Sequence, residues 1–270
     1  MLDAAAAAAL VAERIAALPR GGAPAFIGLN GAQGAGKSTL AKLVVADLES
    51  RGLRGALLSL DDFYLTKAER EELARTVHPM CGTRGVPGTH DLALLEATLA
   101  SLGEGDATAL PRFDKLADDR LPRDQWPVFE GRPDVILLEG WCVGILSDDL
   151  PAWTGPINDL ERECDPDGTW FAWSRTALER DYDALWQRFD LLVSIEVPGW
   201  ETVIDSRLRQ EQEAMAATGG AGMDRAQVTR FAEHYERYTR ALWAAMPERA
   251  DVLLHRDEKF GYALAGNRET

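Results

Sequence analysis

Two rhythms of apolar residues alternate along the chain. Short continuous apolar runs, closed by glycine, proline or an acidic residue, alternate with longer stretches where apolar side chains recur every three or four positions. The short runs are 25–30 (AFIGLN), 55–60 (GALLSL), 134–139 (DVILLE), 191–197 (LLVSIEV) and 251–254 (DVLL). Each is read as a strand. A run without alternation suits a strand covered on both faces, the pattern of a parallel sheet between helices. Such strands need right-handed crossovers, and ligands gather at their carboxyl ends. The expected fold class is therefore α/β, a three-layer α/β/α sandwich with a mostly parallel central sheet and inserted lid and substrate loops.

The helical stretches support this. Residues 38–49 (STLAKLVVADLE) predict a helix after the first strand, and 92–102 predicts another, capped by Asp91. Pro198 fits the first turn of a helix reaching about residue 217. Asp224 can cap the next helix, whose Val228, Phe231, Tyr235, Tyr238 and Leu242 are read as a core stripe. Gly219-Gly220-Ala221-Gly222 between them predicts a flexible joint. Residues 76–90, 111–130 and 144–168 read as long irregular loops, a length associated with function. No internal linker is evident, so 1–270 is expected to be one domain, with an N-terminal helix over 1–20, substrate and lid insertions over 76–130 and an irregular insertion over 144–168.

Composition narrows the partners. The formal net charge is −15, which argues against nucleic acid or an anionic membrane. Any anion site must then be a local basic pocket. The alanine-rich start carries Asp3 before any basic residue and is interrupted by Glu13 and Arg14, so it reads as a surface helix rather than a signal peptide. Three cysteines without a C-x-x-C pair and four histidines without ligand spacing point to a reducing, cytoplasmic setting and no zinc site. Oligomeric state is left open between monomer and homodimer.

The chemistry begins at Gly31-Ala32-Gln33-Gly34-Ala35-Gly36-Lys37-Ser38, followed by Thr39. This fits the phosphate-cradling loop G-x-x-x-x-G-K-[ST], and it lies between a predicted strand and a predicted helix. Glycines let backbone N–H groups turn onto phosphate oxygens at a helix N-terminus. Lys37 would reach the β- and γ-phosphates, and the Ser38 hydroxyl would ligate Mg²⁺. The fold is then of the P-loop NTPase type, with ATP and Mg²⁺ as cofactors. Asp61 and Asp62 follow the second strand, where a carboxylate can take a proton from an attacking hydroxyl or help hold Mg²⁺. Glu139 ends the third strand, the position of a metal-binding acid. Arg84, His90 and Asp91 sit in a glycine- and proline-shaped loop, and Lys115 and Arg120 in a second charged loop. These cations are candidates for an anionic acceptor. Arg207 and Arg209 are candidate lid arginines.

Together the segments GAQGAGKST (31–39), SLDDFYLT (59–66), RGVPGTHD (84–91), LPRFDK (110–115), LLEGWCVG (137–144), RLRQEQE (207–213) and FAEHYERYTRAL (231–242) resemble the D-glycerate 3-kinase family. That family lies among the P-loop kinases that include uridine kinase, pantothenate kinase and phosphoribulokinase. The resemblance implies transfer of a phosphoryl group from MgATP to the 3-hydroxyl of glycerate, a small anionic substrate. It implies Asp61 as general base with Asp62 as the alternative, Tyr64 near the acceptor, and Arg207 or Arg209 in the lid. One departure stands out: plant-type members have a longer glycine-rich stretch where this chain has only Leu116-Ala117-Asp118. Other acceptors (a nucleoside, pantothenate or a sugar phosphate) and a non-catalytic ATP-binding role remain as alternatives. A GTPase switch is disfavoured, because no N-K-x-D motif occurs and Asp165-Pro166-Asp167-Gly168 falls in an irregular insertion.

Overall fold

The structure is a computed structural model that describes residues 1–19, 21–218 and 222–265. The joint expected at 219–222 lies mostly outside these described residues. Six strands form one sheet: β1 (Ala25–Gly31), β2 (Gly55–Ser59), β3 (Val135–Glu139), β4 (Leu191–Glu196), β5 (Val252–Arg256) and β6 (Tyr262–Leu264), in the order β6-β5-β4-β1-β3-β2. Every neighbouring pair is parallel except β5 with β6. The five expected strands are present with ends shifted by one or two residues. The sixth, three residues long, has no counterpart in the apolar pattern.

Side-chain alternation explains why the strands read as continuous apolar runs. Ile27, Leu29, Val135, Leu137, Val193 and Ile195 enter one core, shared with α1 (Ala4–Ala16) and α2 (Lys37–Ser50). Phe26, Ala56, Leu58, Ile136, Leu138 and Leu192 enter the other. That second core is covered by α4 (Leu92–Glu104), α6 (Thr169–Ala177) and α9 (Arg225–Arg249). Between these come α3 (Lys67–Thr76), α5 (Asp159–Cys164), α7 (Asp183–Trp186) and α8 (Trp200–Thr218).

The expected caps hold. The Asp91 carboxylate accepts from Leu94 N–H at 2.9 Å, and Asp224 forms a capping box with Gln227. Pro198 is not in the first turn of α8, which starts two residues later after a bend. The stretch expected to be irregular over 111–130 contains short antiparallel pairings, Phe113–Asp114 with Asp119–Arg120 and Val128–Phe129 with Thr108–Ala109. The insertion over 144–168 contains α5.

Register places the chemistry. Leu29 of β1 and Ser59 of β2 both pair with Glu139 of β3. The ends of three strands are therefore level, with Glu139 between the phosphate loop and the segment leading to Asp61.

Candidate active site

Between β1 and α2 the chain makes a tight loop that two glycines permit. Gly34 and Gly36 have φ of 73° and 90°, a left-handed backbone costly for other residues. A Cβ at Gly34 would lie 2.4 Å from Ser206 Cβ of α8, and one at Gly36 would lie 2.7 Å from the Tyr262 hydroxyl. The loop is thus clasped between α8 and β6. Lys37 Nζ donates to the Ala32 carbonyl at 3.0 Å. Burial draws the Lys37 ammonium below the ordinary lysine value, opposed by the negative charge of Glu139 and Asp61. The hydroxyls of Ser38 and Ser59 both donate to Glu139 Oε1, at 2.8 and 3.0 Å.

Asp61 lies in a 3₁₀ turn, Leu60–Phe63, directly after β2. Its Oδ1 accepts from the Tyr64 hydroxyl at 2.7 Å and its Oδ2 from Lys115 Nζ at 2.6 Å. Burial pushes this carboxyl upward, but Lys115, Tyr64 and Lys37 outweigh it and hold the group below the usual range. Asp62 points elsewhere. Its oxygens accept from Phe113 N–H and the Arg112 guanidinium, both at 3.1 Å, fastening the hairpin that carries Lys115. Burial raises its carboxyl above the ordinary value.

Lys37, Ser38, Glu139, Asp61, Tyr64 and Lys115 open onto one cavity of about 220 Å³. Gln33, Gly34, Arg84 and Arg207 line it as well, so ten of the residues expected from the sequence converge there. Arg84 pairs with Asp118, and Arg207 pairs with Glu211 while lying over the Phe231 ring. Gly31, Ala32, Ala35, Gly36 and Thr39 shape the loop without lining the cavity.

Four expected contacts are placed elsewhere, each for a physical reason. His90 is buried against Tyr64, stacked at 4.9 Å, with Nδ1 2.8 Å from the Tyr182 hydroxyl. Burial pulls its pKa down to about 4, so near neutrality it carries no charge for an anion. Asp91 is occupied by its cap and by Arg120 at 3.0 Å. Arg120 also donates to the Tyr64 carbonyl at 2.8 Å, so both brace Tyr64 from behind. Arg209 lies over Phe260, outside the cavity.

The sequence pattern missed Ser59, Trp141, Gln210, Phe231 and Tyr235, which complete the wall. Trp141 Nε1 donates to the Gly85 carbonyl and the Tyr235 hydroxyl to the Arg84 carbonyl, both at 2.9 Å. The two rings meet edge to face, 5.0 Å apart, and fix the backbone from which Arg84 projects. Trp141 followed a strand-end acid and glycine, a signal that was available. Phe231 and Tyr235 lay in the stripe assigned to the core. The stripe does include core residues such as Val228, Tyr238 and Leu242, but its first two aromatic members also face the cavity.

Residues 26–147 match the Phosphoribulokinase / Uridine kinase family. An uncharacterized kinase of Schizosaccharomyces pombe, mug58, is 32% identical over 223 residues, 79% of each chain. The chloroplastic D-glycerate 3-kinase of Arabidopsis thaliana is 34% identical over 243 residues, 84% of this chain and 50% of that protein. The chain thus spans about half the length of the plant relative. The solved structure of a D-glycerate 3-kinase from Cryptococcus neoformans superposes with a TM-score of 0.73 at 27% identity, over 96% of this chain and 97% of that one. A mostly parallel sheet with a phosphate loop at the end of its central strand, together with these matches, defines a P-loop kinase that transfers phosphoryl groups from ATP to a small molecule. Within that class, the chain belongs to the D-glycerate 3-kinase family.

Proposed function

We propose that the protein phosphorylates the 3-hydroxyl of D-glycerate with MgATP, giving 3-phosphoglycerate and ADP. The observation that carries this is the small cavity that Arg84 and Lys115 share with Asp61, Lys37 and Ser38, Lys115 pairing directly with Asp61. A three-carbon hydroxy acid needs cations for its carboxylate, a base for its hydroxyl and little volume. The identity to a relative named D-glycerate 3-kinase supports the same acceptor.

The donor half fits its nucleotide. Left-handed glycines free the loop backbone to face phosphate oxygens, and the buried, charge-balanced Lys37 suits the β,γ-bridge. The donor set at the metal position is hard oxygen, the Ser38 hydroxyl and the Glu139 carboxylate at 2.8 Å from one another, which suits Mg²⁺. Bound there, Mg²⁺ would neutralise charge developing on the transferred phosphoryl group.

In this reading Arg84 and Lys115 hold the acceptor carboxylate and Tyr64 keeps Asp61 oriented. Asp61 accepts the proton of the 3-hydroxyl as its oxygen bonds to the γ-phosphorus and the bond to the β,γ-bridging oxygen breaks. Arg207 covers the phosphates from α8. Trp141, Phe231 and Tyr235 form the apolar wall that excludes water.

A coupled assay of ADP release with D-glycerate, uridine, pantothenate and ribulose 5-phosphate tests the proposal. D-Glycerate is expected to stimulate turnover far above the ATP-only rate. Stimulation by one of the other three moves the acceptor assignment to it, and stimulation by none favours a non-catalytic ATP-binding role.

A further inference from the structure

The two partners of Asp61 are held very differently. Tyr64, which donates to Oδ1, is fixed by three contacts: stacked on His90, set edge-on to Phe113 at 5.2 Å, and gripped at its carbonyl by Arg120. Lys115, which donates to Oδ2, has a side chain 60% exposed and rises from the turn between Phe113–Asp114 and Asp119–Arg120. The neighbouring Leu116 is 91% exposed, and Asp118 closes the turn with a φ of 55°. The lysine end of this pair lies largely in solvent, where ion pairs hold weakly, and a lysine stem reorients easily. One hydrogen bond to Asp61 is built to stay and the other is easily removed. The removable one sits in the acceptor cavity, in reach of any carboxylate that enters.

We propose that Lys115 is a removable block on Asp61. Without an acceptor its ammonium occupies Oδ2, and a carboxylate-bearing acceptor draws it away, clearing Oδ2 as the acceptor hydroxyl arrives. The inference rests on the assignment of Asp61 as the base. It gives Lys115 a positioning role beyond holding substrate. The competing reaction it suppresses is hydrolysis. There, a water oxygen bonds to the γ-phosphorus, the bond to the β,γ-bridging oxygen breaks, ADP and phosphate leave, and the water proton passes to Asp61. A water molecule carries no carboxylate and does not displace Lys115. Neutral polyols share that deficiency, so glycerol should be a poor acceptor although it has the same kind of hydroxyl.

The test measures ADP release with saturating MgATP from the wild type, Lys115→Met and Lys115→Arg, with no acceptor, with D-glycerate and with glycerol. In Lys115→Met the acceptor-free rate is expected to rise by roughly tenfold, a fraction of the 10²–10⁴-fold that a general base supplies to a well-placed nucleophile. The KM for D-glycerate should rise while kcat falls less, and the preference for glycerate over glycerol should shrink. Lys115→Arg should restore the low acceptor-free rate. General damage to the site would lower every rate together, so an acceptor-free rate that rises while glycerate is used less well marks the block. An acceptor-free rate in Lys115→Met that is unchanged or lower than in the wild type overturns the proposal. If D-glycerate fails in the wild type, the acceptor assignment falls, whereas the block is still decided by the acceptor-free rates.

Discussion

Asp61 and Asp62 show how one residue step separates two jobs. The strand-end position made both candidates for the base, and the sequence reading kept both because adjacent aspartates look alike. The 3₁₀ turn sends them different ways: Asp61 faces the cavity, and Asp62 faces the hairpin backbone. Asp61→Asn is expected to keep ATP affinity and to lower kcat by about 10²–10⁴-fold, measured by nucleotide titration beside turnover. Near-normal kcat would remove Asp61 from the mechanism. His90 carries a pH signature in stability rather than in substrate binding. An unfolded chain protonates histidine below about 6.5, whereas buried His90 resists until about 4. Between those values protons favour the unfolded state, so this contribution is intact above pH 6.5 and is lost as pH falls towards 4. His90 accounts for up to about 3 kcal/mol, and His234, also drawn down to about 4 by burial, acts in the same direction. Denaturant midpoints for His90→Gln should depend less steeply on pH across that window than those of the wild type. An unchanged slope would place the proton-linked loss in other groups.

At the scale of elements, the short hairpin from Phe113 to Arg120 is the part that sequence described least. Its charges looked like a solvated loop because its cations, with Arg112 beside it, find their partners far along the chain: Arg112 with Asp62, Lys115 with Asp61, Arg120 with Asp91. Only the packed fold assigns those pairings. The phosphate loop was legible for the opposite reason, since its chemistry is local and its spacing is fixed by a single turn. The aromatic wall from α9 was hidden differently. A helical stripe shows that a face is buried, not whether it meets a core or a cavity. The hairpin's anchor gives a prediction: Asp62→Ala should raise the acceptor KM several-fold, from loss of charge-assisted bonds worth roughly 1.5–3 kcal/mol, and leave the KM for ATP within error. An equal rise in both would mean that Asp62 serves the whole site.

For the whole molecule, charge opposes function. A net charge of −15 would repel both the proposed anionic acceptor and MgATP, and the cations lining the cavity would have to attract them locally. Raising ionic strength shortens the screening length from about 30 Å at 0.01 M to about 8 Å at 0.15 M. That removes the long-range repulsion before it weakens contacts inside the cavity. Between those salt concentrations kcat/KM for the anionic acceptor should rise by about two- to threefold, measured with an inert salt. A steady fall would show that the local basic field already governs approach.

Strand β6 has a consequence for the order in which the protein is made. Tyr262 exchanges backbone hydrogen bonds with Leu2, at 2.6 and 2.8 Å, and its hydroxyl closes against Gly36 of the phosphate loop. The loop is synthesised first, and its backing arrives more than two hundred residues later. A nascent chain stalled before β5 and β6 would carry the whole phosphate-binding sequence without the strand pair that shapes it. We expect nucleotide binding to be acquired only once β6 has been made, rather than progressively. The unfinished chain would then not engage the cell's ATP.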